Sequence, residues 1–264
     1  MAEVTYRPVI VFAKTFFRSL GIRFDIVGQE NLPAVGGAVL AINHTSYLDF
    51  AFAGIPADRV GHRLVRFMAK ESVFRHPVSG PLMRGMRHIP VDRASGSQAF
   101  RSAVAALKAG ELVGVFPEAT MSRSLEIKDI KNGAVRMAVA AKVPVVPMIV
   151  FGGQRILGYG VRDFTRGRTI AITIGEPMTV ARGDDADAAT AQLRSVLERL
   201  LDVTIDRYPP PTPAESAQGA WWLPARRGGT APTPQEALAI EERVRAERAA
   251  RAPNGTEPSG ADLD

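Results

Sequence analysis

Short apolar runs recur between helix-patterned stretches from residue 38 to residue 205, and this alternation leaves few folds open to the chain. Ala38–Ile42, Arg63–Ala69, His88–Val91, Leu112–Phe116, Val143–Phe151 and Thr169–Ile174 read as strands. Between and after them, the spacing of apolar residues predicts helices near 45–54, 78–86, 97–108, 128–142 and 186–205. Phe24–Val27 reads as a further short strand, followed by a turn at Asn31-Leu32-Pro33 and Gly36-Gly37. Strands alternating with helices predict a single α/β domain over residues 24–208, with a mostly parallel or mixed sheet covered by helices.

Both flanks differ from this pattern. Residues 5–22 read as an amphipathic helix. At 100° per residue, Arg7, Lys14 and Arg18 fall within about 40° of one another, while Tyr6, Val9, Phe12, Ala13, Phe16, Phe17 and Leu20 lie opposite. A basic stripe backed by aromatic and aliphatic residues suits a helix lying in a membrane interface, so residues 1–23 are expected to do so. The alternative is a core-packing helix with a solvated basic face. Beyond Tyr208 come Pro209-Pro210-Pro211 and further Pro and Gly, an arm that Trp221-Trp222 is expected to pin to the domain. Thr233-Pro234-Gln235-Glu236 has the capping chemistry of a helix start, and a charged helix should run to about Arg251. The arm and helix occupy residues 209–252, and residues 253–264 are expected to be a disordered tail.

Composition narrows the chemistry. The chain has no cysteine, which excludes disulfides, thiolate nucleophiles and Cys-based zinc sites. The net charge is +6; the last twelve residues hold Glu257, Asp262 and Asp264 and no base, which leaves +9 on residues 1–252. An anionic partner is therefore expected: anionic lipid, anionic substrate or nucleic acid. The densest basic stretch, residues 59–93, holds Arg59, Arg63, Arg66, Lys70, Arg75, Arg84, Arg87 and Arg93 against Glu71 and Asp92, and most of these charges read as solvated. A nucleic-acid platform would interleave aromatic residues there, yet only Phe67 and Phe74 are present. No run of about eighteen uninterrupted apolar residues occurs, and Arg7, Lys14 and Arg18 break the first apolar stretch, so neither a spanning helix nor a signal peptide is expected.

Polar clusters follow several strands: Asn43-His44, Asp92-Arg93, and Glu118 with Thr120. In α/β folds, sites gather at the carboxyl ends of strands. His44 is followed five residues later by Asp49, and a carboxylate that fixes one imidazole nitrogen leaves the other as a general base. A regular helix would set positions 44 and 49 about 140° apart, so His44 should precede the helix that contains Asp49. That helix is expected to start near Thr45 or Ser46. No Gly-x-Ser-x-Gly elbow, Walker loop or Gly-x-Gly-x-x-Gly stretch is present, and no clustered His or Cys ligands accompany the pair, so no metal is expected. His62, His76 and His88 have no matching context and read as surface or structural residues. What remains is His-assisted activation of a substrate hydroxyl, with arginines holding an anionic group.

These residues carry a resemblance to a family. Asn43-His44-Thr45-Ser46-Tyr47-Leu48-Asp49 matches an N-H-x4-D motif, and Ile89-Pro90-Val91-Asp92-Arg93 looks like a second block ending in arginine. Phe116-Pro117-Glu118-Ala119-Thr120 matches a third block, usually F-P-E-G-T-R-S, and Val143-Pro144-Val145-Val146-Pro147 a fourth, apolar one. In this order, over roughly residues 20–205, they resemble the phospholipid-synthesis acyltransferases of the 1-acylglycerol-3-phosphate acyltransferase type. The third block departs from the pattern. Ala119 replaces the usual Gly, and Met121-Ser122 separates Thr120 from Arg123-Ser124.

The resemblance implies acyl transfer from acyl-CoA or acyl carrier protein to the free hydroxyl of 1-acyl-glycerol-3-phosphate, giving phosphatidate. His44 would be the base and Asp49 its partner, with no cofactor beyond the thioester co-substrate. It implies Arg93, Arg123 and Lys131 as phosphate ligands and Glu118, Thr120 and Ser124 as further substrate contacts. Glu118 would act on a hydroxyl or orient the arginines, against the alternative of a structural arginine partner. The expected setting is peripheral, on the cytoplasmic face of an anionic cell membrane. The competing readings are acylation of another lysolipid or polar-lipid hydroxyl, and a basic nucleic-acid-binding protein.

Overall fold

The apolar runs form the strands of one sheet. In the computed structural model, which describes residues 4–92 and 96–251, these are β1 (Arg23–Val27), β2 (Ala38–Ile42), β3 (Val65–Lys70), β4 (Ile89–Val91), β5 (Leu112–Val115) and β6 (Val145–Phe151). A two-stranded ribbon, β7 (Leu157–Gly158) and β8 (Val161–Arg162), stands apart, and β9 (Thr169–Ile174) returns to the sheet. The sheet order is β1-β9-β6-β2-β5-β3-β4. Every neighbouring pair is parallel except β6 and β9. Before and between the strands run α1 (Tyr6–Ser19), α2 (Asp49–Arg59), α3 (Glu71–Arg75), α4 (Ser79–Gly85), α5 (Gly96–Lys108) and α6 (Gly133–Ala141). α7 (Ala186–Arg207), α8 (Pro213–Ala217) and α9 (Pro234–Arg251) complete the chain.

Strand β2 lies at the centre, paired with β5 on one side and β6 on the other. Its residues are all buried because both sheet faces are covered, as parallel sheets require. Val39 and Ala41 join a core with Ala103 of α5, Val135 of α6 and Leu197 of α7. Ala38, Leu40 and Ile42 join the other core, with Phe17 of α1 and Phe52 of α2. The carboxyl ends of β2 and β5 thus emerge side by side, which brings the first and third sequence blocks together.

Helix α1 belongs to the body of the protein. Tyr6 is buried and its hydroxyl donates to the Val65 carbonyl at 2.7 Å, while the Phe17 ring meets Phe52 at 5.0 Å. Burying such side chains stabilises by about 1.5–3 kcal/mol each. The expected basic stripe is corrected in part. Lys14 pairs with Asp58 of α2, and Arg7 reaches the same carboxylate at 3.5 Å, because a buried carboxylate attracts whatever cations its neighbours offer. Beside the exposed Arg7, Lys14 and Arg18, α1 also turns apolar side chains outward: Val11 and Phe12 are 64% and 72% exposed, Phe12 stacks on Phe16, and Phe16 meets Phe164 edge-on.

Other boundaries also move. α2 begins at Asp49 rather than near Thr45 and continues past Gly54 to Arg59, with Pro56 inside it. α6 begins at Gly133, not 128, because the N–H groups of Lys128 and Lys131 are taken by Glu118 and by the Pro117 carbonyl. Arg59, Lys70, Arg75, Arg84 and Arg87 of the basic stretch are exposed, as expected, but part of the stretch also braces the fold. Arg63 donates to the carbonyls of Pro33, Gly36 and Gly110, Arg66 to the Met86 carbonyl and Glu111, and Arg84 to the Phe74 carbonyl. His88 is buried and its Nδ1 accepts the Phe67 N–H, and burial holds its pKa down at about 4, a structural role. Of the two tryptophans only Trp222 is buried; Trp221 is 44% exposed. Thr233 and Glu236 form the reciprocal cap that opens α9, and Thr212 and Glu215 do the same at α8. Arg93 and the tail 253–264 lie outside the described residues.

Candidate active site

Strand β2 stops at Ile42, and Asn43 locks its end. Its side-chain oxygen accepts the Val150 N–H at 2.7 Å and its amide donates to the Val150 carbonyl at 3.1 Å. The chain then turns, held by Ser46 Oγ and the Tyr47 N–H, both of which donate to the Leu157 carbonyl. His44 therefore precedes α2, and Asp49 opens it. Asp49 Oδ2 accepts the N–H groups of Thr45 and Ser46, each at 2.7 Å, and lies 3.1 Å from His44 Nδ1. An oxygen that already accepts two N–H groups faces a third donor, so the proton sits on Nδ1 and the Nε2 lone pair is free. Asp49 is fully buried; burial raises its carboxyl pKa, opposed by His44 and by the backbone N–H groups of Ser46 and Thr45. Its second oxygen, Oδ1, is buried without a hydrogen-bond partner among the described residues.

The end of β5 supports this pair from the side. The Phe116 ring stacks on the His44 ring, centroids 4.2 Å apart and 23° from parallel. Glu118, 5% exposed, accepts the His44 N–H on Oε1 at 2.9 Å and the Lys128 N–H on Oε2 at 3.1 Å. The Ser122 N–H donates to the His44 carbonyl at 2.7 Å. Both backbone groups of His44 are thus tied to the third block. Burial pushes the Glu118 carboxyl up to about 7, against the two N–H groups and the Lys128 charge, which pull it down.

The other sequence-named residues are placed as follows. Ser124 is buried, 3.1 Å from Ser122 Oγ, and accepts the Glu126 N–H, so it braces the loop. Thr120 is exposed and accepts from Lys128 Nζ at 2.8 Å. Lys131 is exposed, its backbone bonded to the Pro117 carbonyl. Arg123 lies with its guanidinium carbon 3.8 Å from the centre of the Tyr159 ring and has no carboxylate partner among the described residues. Its Nε and the hydroxyl of Thr45 are buried without hydrogen-bond partners among the described residues. Arg123 and Thr45 line one cavity of about 220 Å³, next to the loop that carries His44 and Asp49. Ala119 has φ +65°, the left-handed region that suits glycine, which the usual third block has at this position.

Sequence reasoning missed Phe116 as the ring that backs His44, Lys128 as a partner of Glu118, and the whole segment 152–162 that supplies Tyr159 and the Leu157 carbonyl. An aromatic residue among Gly152, Gly153, Gly158 and Gly160, just after a strand, was the available signal.

The parallel-rich α/β sheet thus carries a His–Asp pair at the end of its central strand, backed by a Phe-Pro-Glu loop. The Acyltransferase family model matches residues 23–151. The chain is 32% identical over 154 residues to the 1-acyl-sn-glycerol-3-phosphate acyltransferase of Bacillus subtilis, which covers 58% of this chain and 72% of that protein. It is 27% identical over 186 residues to the chloroplastic 1-acyl-sn-glycerol-3-phosphate acyltransferase LPAT1 of Arabidopsis thaliana, covering 69% of this chain and 50% of the relative. The crystal structure of the 1-acyl-sn-glycerophosphate acyltransferase PlsC from Thermotoga maritima shares the fold. The TM-score is 0.63 at 24% identity, over 77% of this chain and 81% of that one. The chain belongs to the acyltransferase family that includes the 1-acyl-sn-glycerol-3-phosphate acyltransferases.

Proposed function

We propose that this acyltransferase moves an acyl group from acyl-CoA or acyl carrier protein to the free hydroxyl of 1-acyl-glycerol-3-phosphate, giving phosphatidate. The observation that carries the reading is the His44–Asp49 pair, its tautomer held by two backbone N–H groups, beside a cavity lined by Arg123, which has no carboxylate partner among the described residues. His44 Nε2 takes the hydroxyl proton while the oxygen attacks the thioester carbon. The C–O bond forms, the tetrahedral intermediate collapses, the C–S bond breaks, and the imidazolium returns its proton to the departing thiolate. Asp49 stabilises that imidazolium. Arg123, with Arg93 and Lys131, holds the acceptor phosphate through charge-assisted hydrogen bonds. Glu118, Ser124 and Thr120 act on the substrate through the loop: Glu118 and Ser124 hold its backbone, and Thr120 engages Lys128. The thioester is already activated, so the chain's own groups suffice.

Purified protein is assayed with lysophosphatidate and acyl-CoA beside His44→Ala. The variant should lose about 10³-fold in rate, the contribution of a general base. Unchanged turnover would sink the mechanism. The altered third block, with Ala119 at positive φ and two residues inserted before Arg123, favours a second reading in which another lysolipid hydroxyl is the acceptor.

No described helix is long and apolar enough to cross a membrane. We assign the membrane contact, on the cytoplasmic face, to the outward apolar patch of Val11, Phe12, Phe16 and Phe164, with Arg18 beside it. Val11→Ser with Phe12→Ser should weaken sedimentation with anionic vesicles at least fivefold; equal binding would count against the patch.

A further inference from the structure

The residues beyond the family match supply part of the wall around the cavity beside His44. The family model stops at residue 151, yet the 220 Å³ cavity that holds Arg123 and Thr45 is also lined by Trp221, Thr230, Pro232 and Ile240. These belong to the arm and to α9. The arm is fastened on several sides. Trp222 is buried against Phe151 and Tyr208, and Gln154 donates to the Trp222 carbonyl at 3.0 Å. Arg226 bridges Glu126 of the third-block loop and Asp202 of α7, at 2.7 and 2.6 Å. Lys128, whose N–H binds Glu118, places its Nζ on both oxygens of Glu241 in α9, at 2.6 and 2.8 Å. The arm is thus a fixed wall tied to the same loop that holds His44.

The wall and the cation face one space. A volume of about 220 Å³ is below the roughly 300–1,000 Å³ of pockets that take drug-sized ligands, so it suits a headgroup rather than a whole lipid. Arg123 lines this space and has no carboxylate partner among the described residues, so its guanidinium is the cation that an anionic group bound there would meet. Trp221 and Ile240 contribute apolar surface that offers nothing to a longer polar head.

We propose that the C-terminal arm is the selectivity wall for the acceptor headgroup, with Trp221 and Ile240 as specificity-determining residues. Together with Arg123 they admit a phosphate monoester and exclude a phosphate that carries a further alcohol. This rests on the reading that the acceptor is a lysophospholipid. Trp221 is 44% exposed and Ile240 is half-buried.

The test compares kcat/KM for lysophosphatidate and for lysophosphatidylglycerol, with acyl-CoA as donor, in wild type and in Trp221→Ala/Ile240→Ala. The ratio should move at least tenfold towards the larger acceptor, with the KM for acyl-CoA within twofold as internal reference. Ile240→Trp should do the reverse, raising the acceptor KM at least fivefold at unchanged kcat. If the double variant fails to fold, Trp221→Ala alone serves, since that side chain is half in solvent. A ratio that stays within twofold in folded variants, with an unchanged acceptor KM in Ile240→Trp, overturns the proposal and leaves the acceptor reading intact. A wild type that acylates lysophosphatidylglycerol and not lysophosphatidate overturns the acceptor reading instead. The arm is then judged by whether the variants shift that selectivity.

Discussion

Replacing Asp49 by Asn separates what the carboxylate does as a charge from what it does as a fixed oxygen. Asp49 Oδ2 accepts from the Thr45 and Ser46 N–H groups and from His44 Nδ1. In Asp49→Asn the amide oxygen must keep this position, because an NH₂ there would face two backbone donors. The imidazole orientation and tautomer therefore persist, and only the charge is lost. At 3.1 Å and an effective dielectric constant near 20, the carboxylate stabilises the imidazolium by about 5 kcal/mol. A neutral acceptor retains about 1 kcal/mol of this. The barrier should rise by about 4 kcal/mol, or about a thousandfold in kcat, with the acceptor KM little changed. The amide NH₂ takes the place of Oδ1, which is already buried without a partner, so stability should fall by only about 1–3 kcal/mol. Thiol release from acyl-CoA, followed with a thiol-reactive chromophore at pH 8 under saturating acceptor, gives kcat. A folded Asp49→Asn enzyme with kcat within fivefold of wild type would refute the argument that the charge matters beyond orientation.

Stability should depend on Glu118. Its folded pKa, raised by burial to about 7 from an ordinary 4.5, means the native state holds more protons than the unfolded chain between those values. Stability therefore falls as pH rises through that window, by up to about 3 kcal/mol. Glu118→Gln should abolish that part of the slope in urea midpoints measured from pH 4.5 to 8, at the cost of one of the two N–H acceptors; an identical slope in both proteins would rule Glu118 out as its source. Ala119→Gly should raise the unfolding free energy by about 1 kcal/mol, since φ +65° strains any residue with a Cβ. A urea midpoint that stays put or drops would show that the loop is not strained there.

Much of the site was legible because its parts follow strands. The order of strand, Asn43-His44 and Asp49 is local, and the argument that His44 must precede the helix needed only helical geometry. The bonds that complete the site span long stretches of chain. Glu118 reads in sequence as a ligand for something charged, yet it holds the backbone of a residue 74 positions away. Lys14 and Arg7 read as a membrane-facing stripe until Asp58, remote in sequence, is seen to claim them. Phe116 and Tyr159 carry no pattern of their own; what they stack on is set by which strands are neighbours.

Sequence alone determined the α/β class, the pairing of His44 with Asp49 and the family, because apolar periodicity and short-range spacing act within one strand and the turn after it. Tertiary structure decided that β2 sits between β5 and β6, and so which loops meet. It decided that Glu118 clamps His44, that Arg63, Arg66 and Arg84 cap carbonyls, and that the C-terminal arm lines the cavity around Arg123. Those outcomes depend on sheet order and on burial, and a buried carboxylate or guanidinium takes its partners from whichever segments the fold delivers, not from its neighbours in the chain.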